Sequence, residues 1–530
     1  MIYYKKSIDM NKIKLFYFFT LLLLLGCADQ LQEDSVNPNF NTPEIFFKTE
    51  ADAVSSIDAA YNALIVDGFY NRMGAAMADA RSDELIGRSP WDVLSTVSNF
   101  VMPATSAGAP IIWEGSYILI SRANQTLEGV QDMTINQDLK NRVLGQAYFL
   151  RALGHYQLTI FYKDAPIVTK VPVTSEDRYP NTSSQAELWA QIKSDLELAK
   201  TLLPPNYDDV TGIDNGQNQR VTLDAARALL GKAHLYTEQW QAAETEFDAI
   251  IAGGGHALTP KYADNFTEDP AIEQSNPEPI FQVEFTNDES PDLNWGGVPS
   301  ATWRQFSALA PTYGARGFAF FDFYPSTWLY NEMKAEKTIG GKTDPRLLAT
   351  ILSYEPADGY TKAYTKDWIT EAGFAPDELF IKKFTRADLG LTSETAVLNS
   401  GINYPVIRYA DVLLMNAEAK NELGKTAAAA ALIQQVRDRA LLPDREAEFA
   451  AFSKQQMENQ LAHERLMEFA IEGSRINDII RWGWFNDPAK VAELKTHDPE
   501  FGNWTTGKEY LPVPQIELDR NPNLSKNQAN

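Results

Sequence analysis

The residues that could carry acid–base, metal or nucleophilic chemistry are present in this chain, but their spacing does not assemble a centre. The five histidines, His155, His234, His256, His463 and His497, lie far apart, none has a partner at helix-face metal spacing, and no HExxH occurs. Gly340–Gly341–Lys342–Thr343 copies the end of a phosphate loop, yet Glu336 stands where the earlier glycine is required and no helix is evident after it. No GxSxG elbow is found, so no hydroxyl is marked as a nucleophile. The 71 acidic side chains could supply a glycosidase acid/base pair, but no spacing rule selects two of them. The loop containing Asp208, Asp209, Asp214 and Asn215 offers oxygens that calcium could use but lacks the alternating ligands of an EF-hand, and reads as a solvated acidic loop. No metal and no cofactor is expected.

What remains is aromatic surface. Trp295, Trp303, Tyr313, Phe318, Phe320, Phe321, Phe323, Tyr324 and Trp328 crowd among Gly and Pro in the stretch from Asn265 to Ser400, where helical spacing breaks down. Sugar rings present apolar C–H faces that stack on Trp and Tyr, while Asn, Arg and Asp bond their hydroxyls; this suits reversible capture. A formal charge of -24, from 71 acidic against 47 basic side chains, argues against a nucleic-acid partner, which needs Lys and Arg.

The elements that must hold such a surface are helical. The clearest unit runs from Asn403 to Ala440: Leu413, Leu414 and Ala417 follow helical spacing, Gly424 is placed to stop the first helix, and small residues from Ala427 to Ala431 let a second one pack closely. A second hairpin is expected over Ala225 to Ile251, with Leu230, Gly231, Ala243 and Phe247 at the spacing of a tetratricopeptide unit. Further helices are expected over Thr49 to Asp67, from Trp113 (with Trp113, Tyr117, Ile120 and Asn124 on one stripe), over Leu139 to Tyr162, over Glu187 to Leu203 and over Gln460 to Trp482. The stripe marks Trp113 and Tyr117 as core. Met73 to Pro110 has no sustained period and reads as a long structured loop, of the kind that is usually functional. Ile280 to Phe285 alternates like a short strand, and the proline-bearing stretch from Tyr510 to Asn530 reads as an extended tail.

The sole cysteine, Cys27, excludes an internal disulfide. It closes a leader in which Lys5, Lys6, Lys12 and Lys14 precede an apolar run from Leu15 to Leu25, too short to span a bilayer. Leu24–Leu25–Gly26–Cys27 resembles a bacterial lipobox, which would make Cys27 the lipidated first residue after a signal peptide at 1–26. The polar stretch that follows reads as a flexible tether over 27–45.

The phrase PVIRYADVLLMNAEAKNELG from Pro405 resembles the signature of the SusD/RagB-like nutrient-binding outer-membrane lipoproteins. Four further stretches agree in the same order, beginning at Leu144, Arg220, His463 and Tyr510. The resemblance implies a mainly α fold: a tetratricopeptide-like scaffold of helical hairpins over 46–264 and 401–530, carrying an irregular, aromatic-rich ligand-binding insertion at 265–400. It implies a non-catalytic, lipid-anchored surface protein that captures oligosaccharides and delivers them to a TonB-dependent transporter of the SusC kind. Peptide capture, and a surface-anchored glycoside hydrolase or a scaffold without a small ligand, are the alternatives. The ligand arc it implies would draw on the loop before the Trp113 helix and on the insertion, giving Trp91 with Arg81 and Asn99 as polar neighbours, and Trp295, Trp303 and Tyr313.

Overall fold

Thr49 starts the first helix. In the computed structural model, which describes residues 46–87, 91–174, 176–286, 306–395 and 400–530, the Thr49 hydroxyl accepts from the Asp52 N–H while the Asp52 carboxylate takes the Thr49 N–H at 2.7 Å. This reciprocal cap satisfies donors that an uncapped helix start leaves orphaned. Helix α1 (Glu50–Tyr61) then buries Ala53, Ile57 and Ala60. It is shorter than the periodicity suggests, because the chain tightens into a 3₁₀ turn over Asn62–Ile65 and a π turn over Asp67–Asn71.

The stretch expected as one long loop from Met73 contains two helices and a strand: α2 (Met73–Ala80), β1 (Leu85–Gly87) and α3 (Asp92–Ser98). Every residue of α2 is buried, so its sequence, MGAAMADA, has no polar face and shows no amphipathic period.

Helices α4 (Ala109–Gln131) and α5 (Gln137–Tyr162) form the first long antiparallel pair, and α6 (Gln185–Leu202) packs on the far side of α5. From Phe149 to Tyr162 every side chain of α5 is buried, which makes it the axis of the scaffold. Its polar residues are bonded inside: Arg151 grips Asp195 through Nε at 2.9 Å and Nη2 at 2.6 Å, and also donates to Asn124. Helix α7 (Leu223–Tyr236) packs on α6 and makes the next hairpin with α8 (Trp240–Gly253). Gly231 permits that closeness, since a Cβ there would sit 2.6 Å from the Phe247 ring.

Strand β2 (Pro279–Val283) pairs antiparallel with a strand more than a hundred residues later, so the chain leaves and re-enters the scaffold at one place. In between, α9 (Leu309–Tyr313), β3 (Phe323–Pro325), α10 (Thr327–Ala335) and α11 (Pro345–Thr350) build an irregular body, with a small core of its own around Phe318, Tyr364, Trp368, Phe374 and Phe380. It is stitched to the scaffold by β1–β3 pairing, Ile86 opposite Tyr324. The partner of β2 is β4 (Tyr404–Arg408), which leads into the hairpin α12 (Tyr409–Glu422) and α13 (Thr426–Arg439). Gly424 turns it with φ 75°, and α12 packs on α8, continuing the row of hairpins. The fold is therefore mainly α, a tetratricopeptide-like arrangement in which each pair buries its apolar face on the next.

The helix expected from Gln460 to Trp482 is interrupted. It is divided into α14 (Lys454–Phe469) and α15 (Arg475–Arg481), with Ile471 and Gly473 at positive φ. The cause lies outside the helix: Arg408 Nη2 takes the Glu468 carbonyl at 2.7 Å, Lys383 takes the Ala470 carbonyl at 2.6 Å, and Asp79 accepts the Gly473 N–H at 2.6 Å. Helix α16 (Pro488–His497) follows, and the tail, expected to be extended, contains α17 (Gln515–Arg520). Among the described residues no helix is long and apolar enough to cross a membrane.

Candidate functional site

Trp91 stands at the N-cap position of α3 and is 37% exposed. The Arg72 guanidinium lies 5.2 Å from the ring centroid and is itself fixed by Asp67, through Nε at 2.9 Å and Nη2 at 2.6 Å. A cation held over one face of an indole orients it at low entropic cost. One residue earlier, Asn71 donates to the Phe306 carbonyl at 2.7 Å and accepts from the Ala308 N–H at 3.0 Å. Phe306 and Ala308 are thus anchored on the residue next to Arg72. Further aromatics project from the same body: Phe320 is 41% exposed, and Tyr324 is half-buried on the strand that pairs with β1.

The other end of α3 is a mount. Asn99 Nδ2 donates to the Ser95 carbonyl at 2.9 Å and to Glu500 Oε1 at 3.1 Å, and its own carbonyl oxygen accepts from Asn503 at 3.2 Å. Ser98 also donates to Glu500, and the Gly87 N–H donates to Ser98 Oγ at 3.0 Å. Below them Phe100 packs on Phe501 with ring centroids 4.8 Å apart, and Phe485 stacks on Trp504. Eight helical steps separate Trp91 from Asn99, about 12 Å. Asn99 is therefore a strut for the helix rather than a neighbour of the indole.

Two of the nominated ligand contacts are interior. Arg81 is 1% exposed, donating to the Met77 carbonyl and, at 2.7 Å, to the Glu509 carbonyl, with its guanidinium 4.5 Å over the Phe161 ring. Burial lowers its pKa to about 10. Tyr313 is fully buried and donates to Asp79 Oδ2 at 2.7 Å. Burial raises the Tyr313 phenol well above its ordinary value. Both are corrected from surface contacts to supports under the rim: an arginine or a tyrosine serves an interior bond as readily as a ligand. Trp295, Trp303 and Cys27 lie outside the described residues. Sequence reasoning missed Arg72; Phe320 and Tyr324 were visible only as members of an aromatic crowd, with nothing to separate exposed rings from core rings.

The floor is an acidic knot between α2 and β1. Asp83 is gripped by Arg475 Nε at 2.8 Å and Nη2 at 2.9 Å and faces His497 Nδ1 at 2.8 Å. Burial pushes the Asp83 carboxyl up, but Arg475 and His497 together outweigh it and hold it down at about 2. Burial raises both Asp79 and Glu84, which have no such bidentate partner. His497 lies flat against Trp328, 3.8 Å between ring centroids. The acidic loop weighed for calcium is used internally: Asp214 forms a buried bidentate pair with Arg142, both bonds at 2.7 Å, and Asn215 bonds the carbonyls of Asp208 and Val210. Among the described residues no group of three His, Cys, Asp or Glu is placed to hold a metal ion.

A profile of the SusD family matches residues 252–529. The chain belongs to the SusD family. A second SusD-like profile, described as starch-binding associating with outer membrane, matches residues 41–235. SusD-like protein P2 of Formosa agariphila is 27% identical over 98% of this chain and 99% of its own. A SusD superfamily protein from Bacteroides vulgatus superposes with a TM-score of 0.77 at 28% identity, covering 91% of this chain and 100% of that one. A laminarin-binding SusD-like protein shares the fold, with a TM-score of 0.73 at 24% identity over 91% of this chain and 99% of its own.

Proposed function

We propose that this SusD-family chain is a non-catalytic, cell-surface glycan-binding lipoprotein that captures oligosaccharides and passes them to a partner TonB-dependent transporter. The observation that carries the reading is Trp91: a large indole left exposed at the start of a helix whose far end is bolted to the scaffold, with Arg72 covering one ring face. An indole held this way offers a sugar C–H face a preformed platform. Trp303, three residues before Phe306, and Trp295 are proposed to complete the arc, with Cys27 as the lipid anchor at the outer membrane. A laminarin-binding relative and a starch-binding family description support the ligand class.

The test is calorimetry of the chain from Ala28 onward with laminarihexaose and maltohexaose, beside Trp91→Ala, with product analysis of the same mixtures. Loss of one stacked ring should weaken binding about tenfold, or 1.4 kcal/mol, with no new reducing ends. Unchanged affinity in Trp91→Ala would remove the site, and release of reducing ends would make the protein a hydrolase.

A further inference from the structure

A separate cavity of about 730 Å³ opens between the turn Tyr262–Phe266, the start of α11 and the segment 382–389. It shares no residue with the surroundings of Trp91. Its size falls in the range of small-ligand pockets. Its wall combines an aromatic face with mixed polar groups. Tyr360 is 39% exposed, with the Lys382 ammonium 5.3 Å from its ring centroid and Lys382 paired to Asp388 at 3.0 Å. Leu441, 62% exposed, adds apolar surface at the mouth.

The electrostatics narrow the ligand. Two of the cations in the wall are already neutralised from behind: Lys383 by Glu472 at 2.8 Å, and Arg439 by Glu278 and Glu468. Arg386 is likewise paired to Glu394 and Lys382 to Asp388, so the other charges lining the space are Lys261 against the acidic Asp264, Glu268 and Asp269, and an anion gains no net attraction there. Acceptors, donors and a tyrosine face suit a neutral polyhydroxylated ring, whose hydroxyls donate to carboxylates and accept from ammonium groups.

We infer that this cavity is a second saccharide site, taking one neutral pyranose unit independently of the Trp91 platform. The test is saturation-transfer NMR of methyl β-glucoside and of glucuronate with the full soluble chain, in wild type, Trp91→Ala, Tyr360→Ala and Asp388→Ala. Tyr360 and Asp388 both have exposed side chains, so their loss should leave the fold intact. The neutral glycoside should bind wild type and Trp91→Ala alike, lose about fivefold in affinity in Tyr360→Ala, weaken in Asp388→Ala, and exceed glucuronate throughout. No transfer in wild type, loss in Trp91→Ala, equal binding of glucuronate, or indifference to both cavity substitutions would each overturn the inference. Because the Trp91 variant is carried in parallel, failure of this site and failure of the proposed glycan platform give different patterns.

Discussion

Replacing Arg475 by Met tests the acidic floor. In the folded chain the Asp83 carboxyl is held at about 2, against 3.8 when unperturbed, so the pair contributes stability that is fully present above pH 3.8 and is lost as pH falls through about 2. At neutral pH that difference amounts to about 2 kcal/mol. Arg475→Met does more than remove it. Asp83 is fully buried and would keep only His497, so burial would dominate, and breaking such a pair costs about 3–5 kcal/mol. The sign of the pH effect should reverse. With its pKa raised above the unfolded value, Asp83 in the variant favours folding at low pH and opposes it as pH rises, so the gap from wild type should narrow between pH 7 and pH 5. Urea unfolding followed by tryptophan emission at the two pH values measures this. The double variant Asp83→Asn with Arg475→Met removes the orphaned charge and should recover at least half of the loss. A single variant within about 1 kcal/mol of wild type, or a double variant no better than the single, would refute the reasoning.

Tyr313→Phe leaves Asp79 without its phenol donor, so it should destabilise the fold by about 1–2 kcal/mol while glycan affinity in calorimetry stays unchanged, the opposite pattern to Trp91→Ala. Burial, helped by Glu500, raises Asp498 to about 7. A raised carboxylate favours folding at low pH and loses that contribution as pH rises through about 7, so Asp498→Asn should flatten the decline of the urea midpoint between pH 5 and pH 8. Gly231→Ala places a methyl 2.6 Å from the Phe247 ring and should cost about 1–3 kcal/mol by overpacking the α7–α8 hairpin, whereas Gly231→Ala combined with Phe247→Leu should recover part of it. Glu500→Ala should release the far end of α3, weakening glycan binding severalfold and raising amide exchange at Asn99 and Phe100 with little change in the global midpoint.

The α7–α8 hairpin was legible because small and apolar residues recur at helical steps: Leu230, Gly231, Ala243 and Phe247 sit where their spacing places them, all buried. Helix α2 was not, because a helix buried all round carries no polar stripe to count. The interruption after Phe469 was not legible either, since the cations and carboxylate that impose it, Arg408, Lys383 and Asp79, come from other parts of the chain. The same limit applied to the site. Residue type nominated Arg81, Tyr313 and Trp91 equally, and only burial separates them: the first two bond inward, while the third keeps an exposed ring. Asn99 was expected to be a polar neighbour of Trp91, whereas it is bonded to Glu500 and Asn503, four hundred residues on, at the far end of the helix.

Helix α3 is fastened at its C-terminal end by Glu500 and Asn503 and along its inner face by Val93, Leu94 and Val97, which are buried in the core, and it carries its aromatic at the other end. That arrangement confines free variation to Trp91 and the outward-facing Asp92, Ser95 and Thr96. A different aromatic could be exchanged at position 91 without disturbing the fastening, the buried face of the helix or any hairpin of the scaffold. On the proposed function, ligand preference could therefore diversify by changing a single exposed ring, and a designer wishing to retarget the protein would begin at that position.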